Sequence, residues 1–321
     1  MKNNLFKDFL SRFGVPVFLL LCLIIVQMLN RNVGILRFSN LMLVFQQSVT
    51  LILLSFGLSL VMIGGETDLS IAGVMGFIGA VFVTCINQNL GIWTAIVISI
   101  AAALAVSAFN GFLVGKLGYS SFLVTVATMF ITSGLQYAFT NGLTVWFADK
   151  SITKVSETNI LGIPLFIFIA LIVTVIYYIF IYHTKWGFNI RVVGENSKVA
   201  DEVGINTKLV KVMIFVIAAI FYGIAGVIEP LRVSGSVLYA GNTFLLPAMA
   251  ACFLGSTMFV PGKVNVLGTL FSAFFLSFIL NILTFLGVKY FYVNLIQGML
   301  LIVSVVLANI KNRSIKQQLM T

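Results

Sequence analysis

The feature that most constrains this chain is a succession of apolar stretches, separated by short clusters of charged residues, glycine and asparagine. A helix that crosses a bilayer needs about 20 predominantly apolar residues. Stretches near that length lie at 15–29, 43–63, 71–86, 92–113, 122–140, 163–182, 212–228, 245–258, 264–285 and 290–309. Within lipid every backbone N–H and C=O must find its partner inside the protein, so such stretches are helices. The expectation is an all-α, polytopic transmembrane bundle of about ten helices forming a single domain over residues 1–321. Composition excludes the soluble alternative: 60% of the residues are hydrophobic and 9% charged, where a soluble domain has roughly a quarter charged.

The third and eighth stretches are too short for a full crossing. Short or interrupted segments are tolerated where they are buried in protein or line a cavity, so these two mark the expected passage. The first stretch follows a basic start but is not succeeded by a small-residue cleavage site, and reads as an uncleaved span. Cations set the orientation. With the N-terminus inside, Lys2, Lys7, Arg12, Lys116, Lys185, Arg191, Lys198, Lys208, Lys211, Lys263, Lys311, Arg313 and Lys316 are cytoplasmic. Arg31, Arg37, Lys150, Lys154, Arg232 and Lys289 are then external, and the excess places both termini in the cytoplasm. The net charge of +10 is explained by this bias, and its dispersal speaks against a nucleic-acid partner.

Two interruptions are long. The external one, 141–162, mixes charges with an apolar patch at Val145, Trp146 and Phe147, suiting a docking surface or a lid. The cytoplasmic one, 183–211, is too small for a catalytic domain. Within it 197–203 reads as a short helix, with Ser197 near its N-cap and Gly204 at C′.

An ionisable residue at bilayer depth is expensive and functional by default. Two places qualify. In Gly64-Gly65-Glu66-Thr67-Asp68-Leu69-Ser70 the carboxylates belong either to a translocation pathway or proton site, or to a turn in which Asp68 caps the next helix. Glu229 and Arg232, at i and i+3, form either a structural ion pair or a contact for an incoming partner. Gly57, Gly73, Gly76 and Gly79 read as close helix packing. With one histidine and no clustered cysteines there is no metal site to assemble. No phosphate-binding loop occurs, and no nucleophile with a base, so the chain reads as non-catalytic and without a cofactor of its own.

Three segments together resemble the permease subunits of bacterial ATP-binding-cassette importers for ribose, xylose, galactose and autoinducer-2. They are Gly65-Glu66-Thr67-Asp68-Leu69-Ser70; Arg191-Val192-Val193-Gly194-Glu195-Asn196 with Ala200 and Gly204-Ile205-Asn206; and Ala250-Ala251-Cys252-Phe253-Leu254-Gly255-Ser256 with Gly262 and Gly268-Thr269. Thr67, Glu195, Ser256 and Pro261 depart from the pattern and mark a divergent member whose substrate stays open. The resemblance implies a permease in a bacterial cell (inner) membrane for a small polar solute such as ribose or autoinducer-2. A binding protein would deliver the solute, and a separate ATPase that binds ATP and Mg would drive transport. A second permease, identical or paralogous, would complete the passage. Gly194, Asn196, Ala200, Gly204 and Ile205 would then couple to the ATPase, and tryptophan at Ala200 or Gly204 would uncouple transport. Gly65, Glu66, Asp68, Ser70 and Asn242 would belong to the pathway, and Trp146, Glu229 and Arg232 would meet the binding protein. The alternative class is a stand-alone secondary transporter coupled to protons through Glu66 or Asp68.

Overall fold

The computed structural model describes residues 37–285 and 287–318, with four further positions at 17, 21, 24 and 28. The span expected at 15–29 lies, apart from those four positions, outside the described residues. Among the described residues seven helices are long and apolar enough to cross a membrane. They are α1 (Phe38–Ile63), α3 (Ile92–Gly111), α4 (Ser121–Thr140), α6 (Leu165–His183), α9 (Thr207–Val233), α11 (Val266–Phe285) and α12 (Tyr290–Gln318). Two shorter apolar helices, α2 (Ile71–Asn87) and α10 (Asn242–Gly255), fall where short stretches were expected. The remaining α-helices are α5 (Lys154–Glu157), α7 (Lys185–Glu195) and α8 (Ser197–Glu202), with a π-helical turn at Phe112–Lys116 and a 3-10 turn at Lys150–Thr153. The chain is thus an all-α membrane bundle, with four two-residue strands among the described residues: β1 (Val145–Trp146), β2 (Asn159–Ile160), β3 (Ile163–Pro164) and β4 (Gly235–Ser236).

The chain divides into two compact units, Phe56–Leu245 and Met1–Ser55 with Leu246–Thr321. In the first, each helix is sorted by which stripe it can bury. On α3 the buried residues are Ala95, Ser99, Ala103, Ser107, Asn110 and Gly111, a small-residue stripe at helical spacing that lets α9 approach closely. A Cβ on Gly111 would stand 2.8 Å from the Val212 carbonyl oxygen. On α4 the buried stripe is polar: Ser121, Thr125, Thr128, Thr132, Gln136 and Thr140. Thr125, Thr132 and Thr140 each donate to the carbonyl four residues back, and Leu123, Phe130 and Ile131 point outward. Against lipid those donor bonds would persist, but the Gln136 amide and the acceptor sides of Ser121 and Thr125, which meet other parts of the chain, would lose their partners, so the polar face turns in and the apolar face out.

The glycines of α2 bear out the packing reading. Cβ atoms at Gly73 and Gly76 would collide with Met129 and Gln136 of α4, and one at Gly57 with the Tyr222 ring.

In the second unit Phe45 stacks on Phe274 at 4.1 Å between centroids, and Val44, Phe278 and Ile282 form a buried cluster. Asn265 donates to the Gly255 and Met258 carbonyls and accepts from the Gly268 amide. Gly255 and Gly268 meet backbone to backbone, where a Cβ on Gly268 would be 2.2 Å from the Gly255 oxygen. That contact accounts for the paired glycines of the third sequence segment.

Two expectations change in detail. Helix α9 runs through Pro230 to Val233 instead of ending at 228, so Glu229 and Arg232 lie within it. Of the apolar patch in the segment 141–162, Trp146 is 59% exposed, whereas Phe147 is 4% exposed and sits edge-on to Phe82.

Candidate functional site

The break between α1 and α2 is built from its own backbone chemistry. Helix α1 closes with a Schellman motif: the Glu66 amide donates to the Val61 carbonyl and the Gly65 amide to the Met62 carbonyl. Gly65 has φ +83, the left-handed conformation this ending needs and glycine accepts most easily. The extended residues that follow cannot satisfy their amides within a helix. Thr67 donates to Ser121 Oγ at 3.2 Å and Leu69 to Thr125 Oγ1 at 3.0 Å, so the polar stripe of α4 supplies the missing acceptors.

Asp68 is completely buried. The residue at the N-cap position of α2 is Ser70, not Asp68. Instead, Asp68 Oδ1 accepts from both the amide and the hydroxyl of Ser70, and Oδ2 accepts from the Tyr222 hydroxyl at 3.1 Å. Asn110 Nδ2 donates to Ser70 Oγ at 3.1 Å, and Thr128 Oγ1 donates to Asn110 Oδ1 at 2.6 Å. This one carboxylate therefore organises a polar chain through α2, α3, α4 and α9, and each link strengthens its neighbours in a medium of low dielectric. Glu66 leaves the break on the other side and pairs with Lys211 of α9 at 2.6 Å.

The segment 183–211 is a helical corner pressed against this break. Thr184 caps α7 by accepting from the Gly187 amide. At the far end of α7 a Cβ on Gly194 would lie 1.8 Å from the Ile63 carbonyl oxygen. Gly194 and Gly65 also face one another, with 3.2 Å between the position of a Gly65 Cβ and the Gly194 Cα. Asn196 caps α8, its side chain accepting from the amides of Lys198 and Val199. The helix thus starts within one residue of expectation and closes on Gly204 at φ +84. Its closing bonds run from Ile205 to Ala200 and from Gly204 to Asp201, a second Schellman motif. Ala200 is fully buried, whereas Val199 and Val203 are 47% and 66% exposed.

The second break, after α9, meets the first. Gly241 lies on the Ala72 carbonyl oxygen, 1.9 Å from where its Cβ would be, and Asn242 beside it is exposed at the start of α10. Strand β4 pairs antiparallel with β1, Val145 opposite Ser236 and Trp146 opposite Gly235. Asn87 clamps the same loop by donating to the Trp146 carbonyl and accepting from the Ala148 amide. In that loop the Ser151 hydroxyl and amide both donate to Asp149, holding its carboxyl below the usual carboxylate range. Glu229 and Arg232 pair as their spacing implied, with two guanidinium N–H groups on the two carboxylate oxygens. The pair is deeper than a rim position: Glu229 is 5% exposed.

Of the polar chain around Asp68, the sequence marks Ser70 but not the rest. Asn110, Thr128 and Tyr222 sit in apolar stretches where one polar residue is unremarkable. A usable signal was present in α4, whose serines, threonines and glutamine recur every three or four residues in an otherwise apolar stretch.

Over 300 residues the chain is 28% identical to the ribose import permease protein RbsC of Escherichia coli (strain K12), covering 91% of this chain and 92% of that one. It is 28% identical to the ribose import permease protein RbsC of Bacillus subtilis (strain 168), covering 94% of each. With the L-arabinose transport system permease protein AraH of Escherichia coli (strain K12) it shares 24% identity over 80% of this chain and 79% of that one. No solved structure matches it. Residues 40–305 match the family described as branched-chain amino acid transport system / permease component, and with the helices, the breaks and the corner at 183–211 now in place, the chain belongs to that permease family.

Proposed function

We propose that this permease carries a simple sugar, of which ribose is the first to test, along a passage completed by a second permease, identical or paralogous. A binding protein delivers the sugar at the outer face. A separate ATPase binds ATP and Mg and supplies the energy. The correspondence with import permeases for ribose over 91% of the chain carries this reading. The distribution of cations supports cytoplasmic termini, and the apolar stretches of the sequence support a count of about ten helices. Gly65, Glu66, Asp68, Ser70 and Asn242 form and flank the breaks beside the passage. Trp146 is the outermost of the expected binding-protein contacts, with Glu229 and Arg232 beneath it.

On the cytoplasmic side α8 is the coupling element. Asn196, Gly204 and Ile205 shape it, Ala200 anchors it from within, and Gly194 carries its movement to the break. The surface offered to the ATPase is Val199 and Val203, one turn apart and exposed. Tryptophan at Ala200 would disrupt a fully buried site, and at Gly204 it would strain a positive φ, so neither isolates coupling from folding. The expected result is that Val203→Asp lowers ATP-driven uptake at least tenfold while the melting temperature stays within about 2 °C, as surface substitutions usually leave stability unchanged. Uptake within twofold of the parent protein would remove α8 as the contact.

Proton coupling through Glu66 or Asp68 finds less support, since Glu66 is paired with Lys211 and Asp68 holds three donors from the protein. Reconstitution separates the classes. The permease alone in liposomes with a pH gradient is expected to move no ribose, and uptake is expected to begin when the ATPase, the binding protein and ATP are added. Gradient-driven uptake by the permease alone would establish the secondary-transporter class instead.

A further inference from the structure

A cavity of about 270 Å³ opens between the outer half of α2, the end of α9 and the residues that lead into α10. It lies below the roughly 300–1,000 Å³ of drug-sized pockets, which suits a small solute. Its walls carry the Glu229 and Arg232 pair, Ser236, and the apolar side chains of Met75 and Phe244.

Two observations mark it as more than a packing defect. Arginine has five N–H groups; two are taken by Glu229, and the other three have no partner among the described residues. Ser236 is 3% exposed, yet its hydroxyl is not one of the sealed, unpaired polar atoms of the interior; without a hydrogen-bond partner among the described residues, it is open to the cavity that Ser236 lines. A buried ion pair is a poor source of stability, since well-packed apolar residues often serve as well or better.

The chemistry of the lining selects the ligand class. Glu229 cancels the charge of Arg232, so neither an anion nor a cation gains from the site. What remains is a carboxylate that accepts, a guanidinium that donates and a hydroxyl that does both, facing an aromatic ring. A neutral polyhydroxylated molecule matches that set, with hydroxyls for the polar wall and a C–H face for Phe244. Resting on the sugar reading above, we propose that this cavity is a transient monosaccharide site, with Ser236 and Arg232 binding the hydroxyls of the cargo.

The test uses the full-length permease in lipid nanodiscs, with ribose, arabinose and fructose in turn as probes in saturation-transfer NMR. At least one is expected to give a saturable signal. Ser236→Ala removes a hydroxyl that bonds nothing in the protein, so a structural role predicts no change. The site predicts binding weakened about three- to tenfold, the effect of one lost hydrogen bond. Thr243→Trp, from an exposed position on the cavity wall, fills the space and is expected to abolish the signal. No saturable binding of any of the three sugars overturns the proposal, as does binding that both variants leave unchanged. Uptake of the same sugars by the complete importer judges the function separately. Uptake without pocket binding sinks the site alone, and binding without uptake upholds the site while sinking sugar import.

Discussion

Replacing Gly194 with valine is expected to cut ATP-driven uptake at least tenfold while the ATPase still associates with the membrane. A Cβ at this position would lie 1.8 Å from the Ile63 carbonyl oxygen and 2.8 Å from its carbon. Both are backbone atoms with no rotamer to yield, so α7 must move away from the end of α1. Overpacking of this kind costs about 1–3 kcal/mol where neighbours can relax, and occasionally more. In the function proposed above, the lost contact is the one that would carry movement of α8 to the break. Gly134→Ala is the control: it lies in α4, away from α7 and α8, with nothing within 4 Å of its Cβ position and no positive φ, so transport by that variant is expected to stay within about twofold. If Gly194→Val transported as well as Gly134→Ala, the α7 contact would have no part in coupling.

Removing the Asp68 carboxylate is the second large effect. Asp68→Ala leaves the amide and hydroxyl of Ser70 and the Tyr222 hydroxyl without their acceptor in a site closed to water. An unsatisfied buried group costs about 1–3 kcal/mol, so the folded state should lose about 3 kcal/mol or more. In detergent this reads as a melting temperature lowered by roughly 5–10 °C. Asp68→Asn keeps the shape and one acceptor oxygen, and the Tyr222 hydroxyl can turn to accept, so about half that loss is expected. Equal melting temperatures for Asp68→Ala and the parent would show that the polar chain does not hold α2, α3, α4 and α9 together.

How much of this was legible in advance depended on the range of each interaction. The ending of α8 was readable, because a Schellman motif is settled within six residues and Gly204 sits where local rules place it; its start was placed one residue late, near Ser197 instead of at Asn196. The assignment of Asp68 as a helix cap failed for the same reason in reverse. Local rules put an acid at the helix start, but its second oxygen is used by Tyr222, 154 positions away. The external patch failed similarly. Val145, Trp146 and Phe147 are alike in composition, yet pairing with β4 and contact with Phe82 bury Phe147 and leave Trp146 outside.

The apolar stretches by themselves determined the class. Lipid offers no hydrogen bonds, so bilayer length and helical structure follow from composition alone. The breaks were visible too, as glycines and carboxylates where apolar residues should run on. Only the tertiary structure decided what each break does. It set Gly194 against Ile63, Gly241 against Ala72 and Glu66 against Lys211, and it gave Asp68 its partners on α9. These pairings join residues from 131 to 169 positions apart, taking Gly194 with Ile63 and Gly241 with Ala72 as the limits. No local propensity encodes such distances, because the choice is made by which small residues allow two backbones to touch.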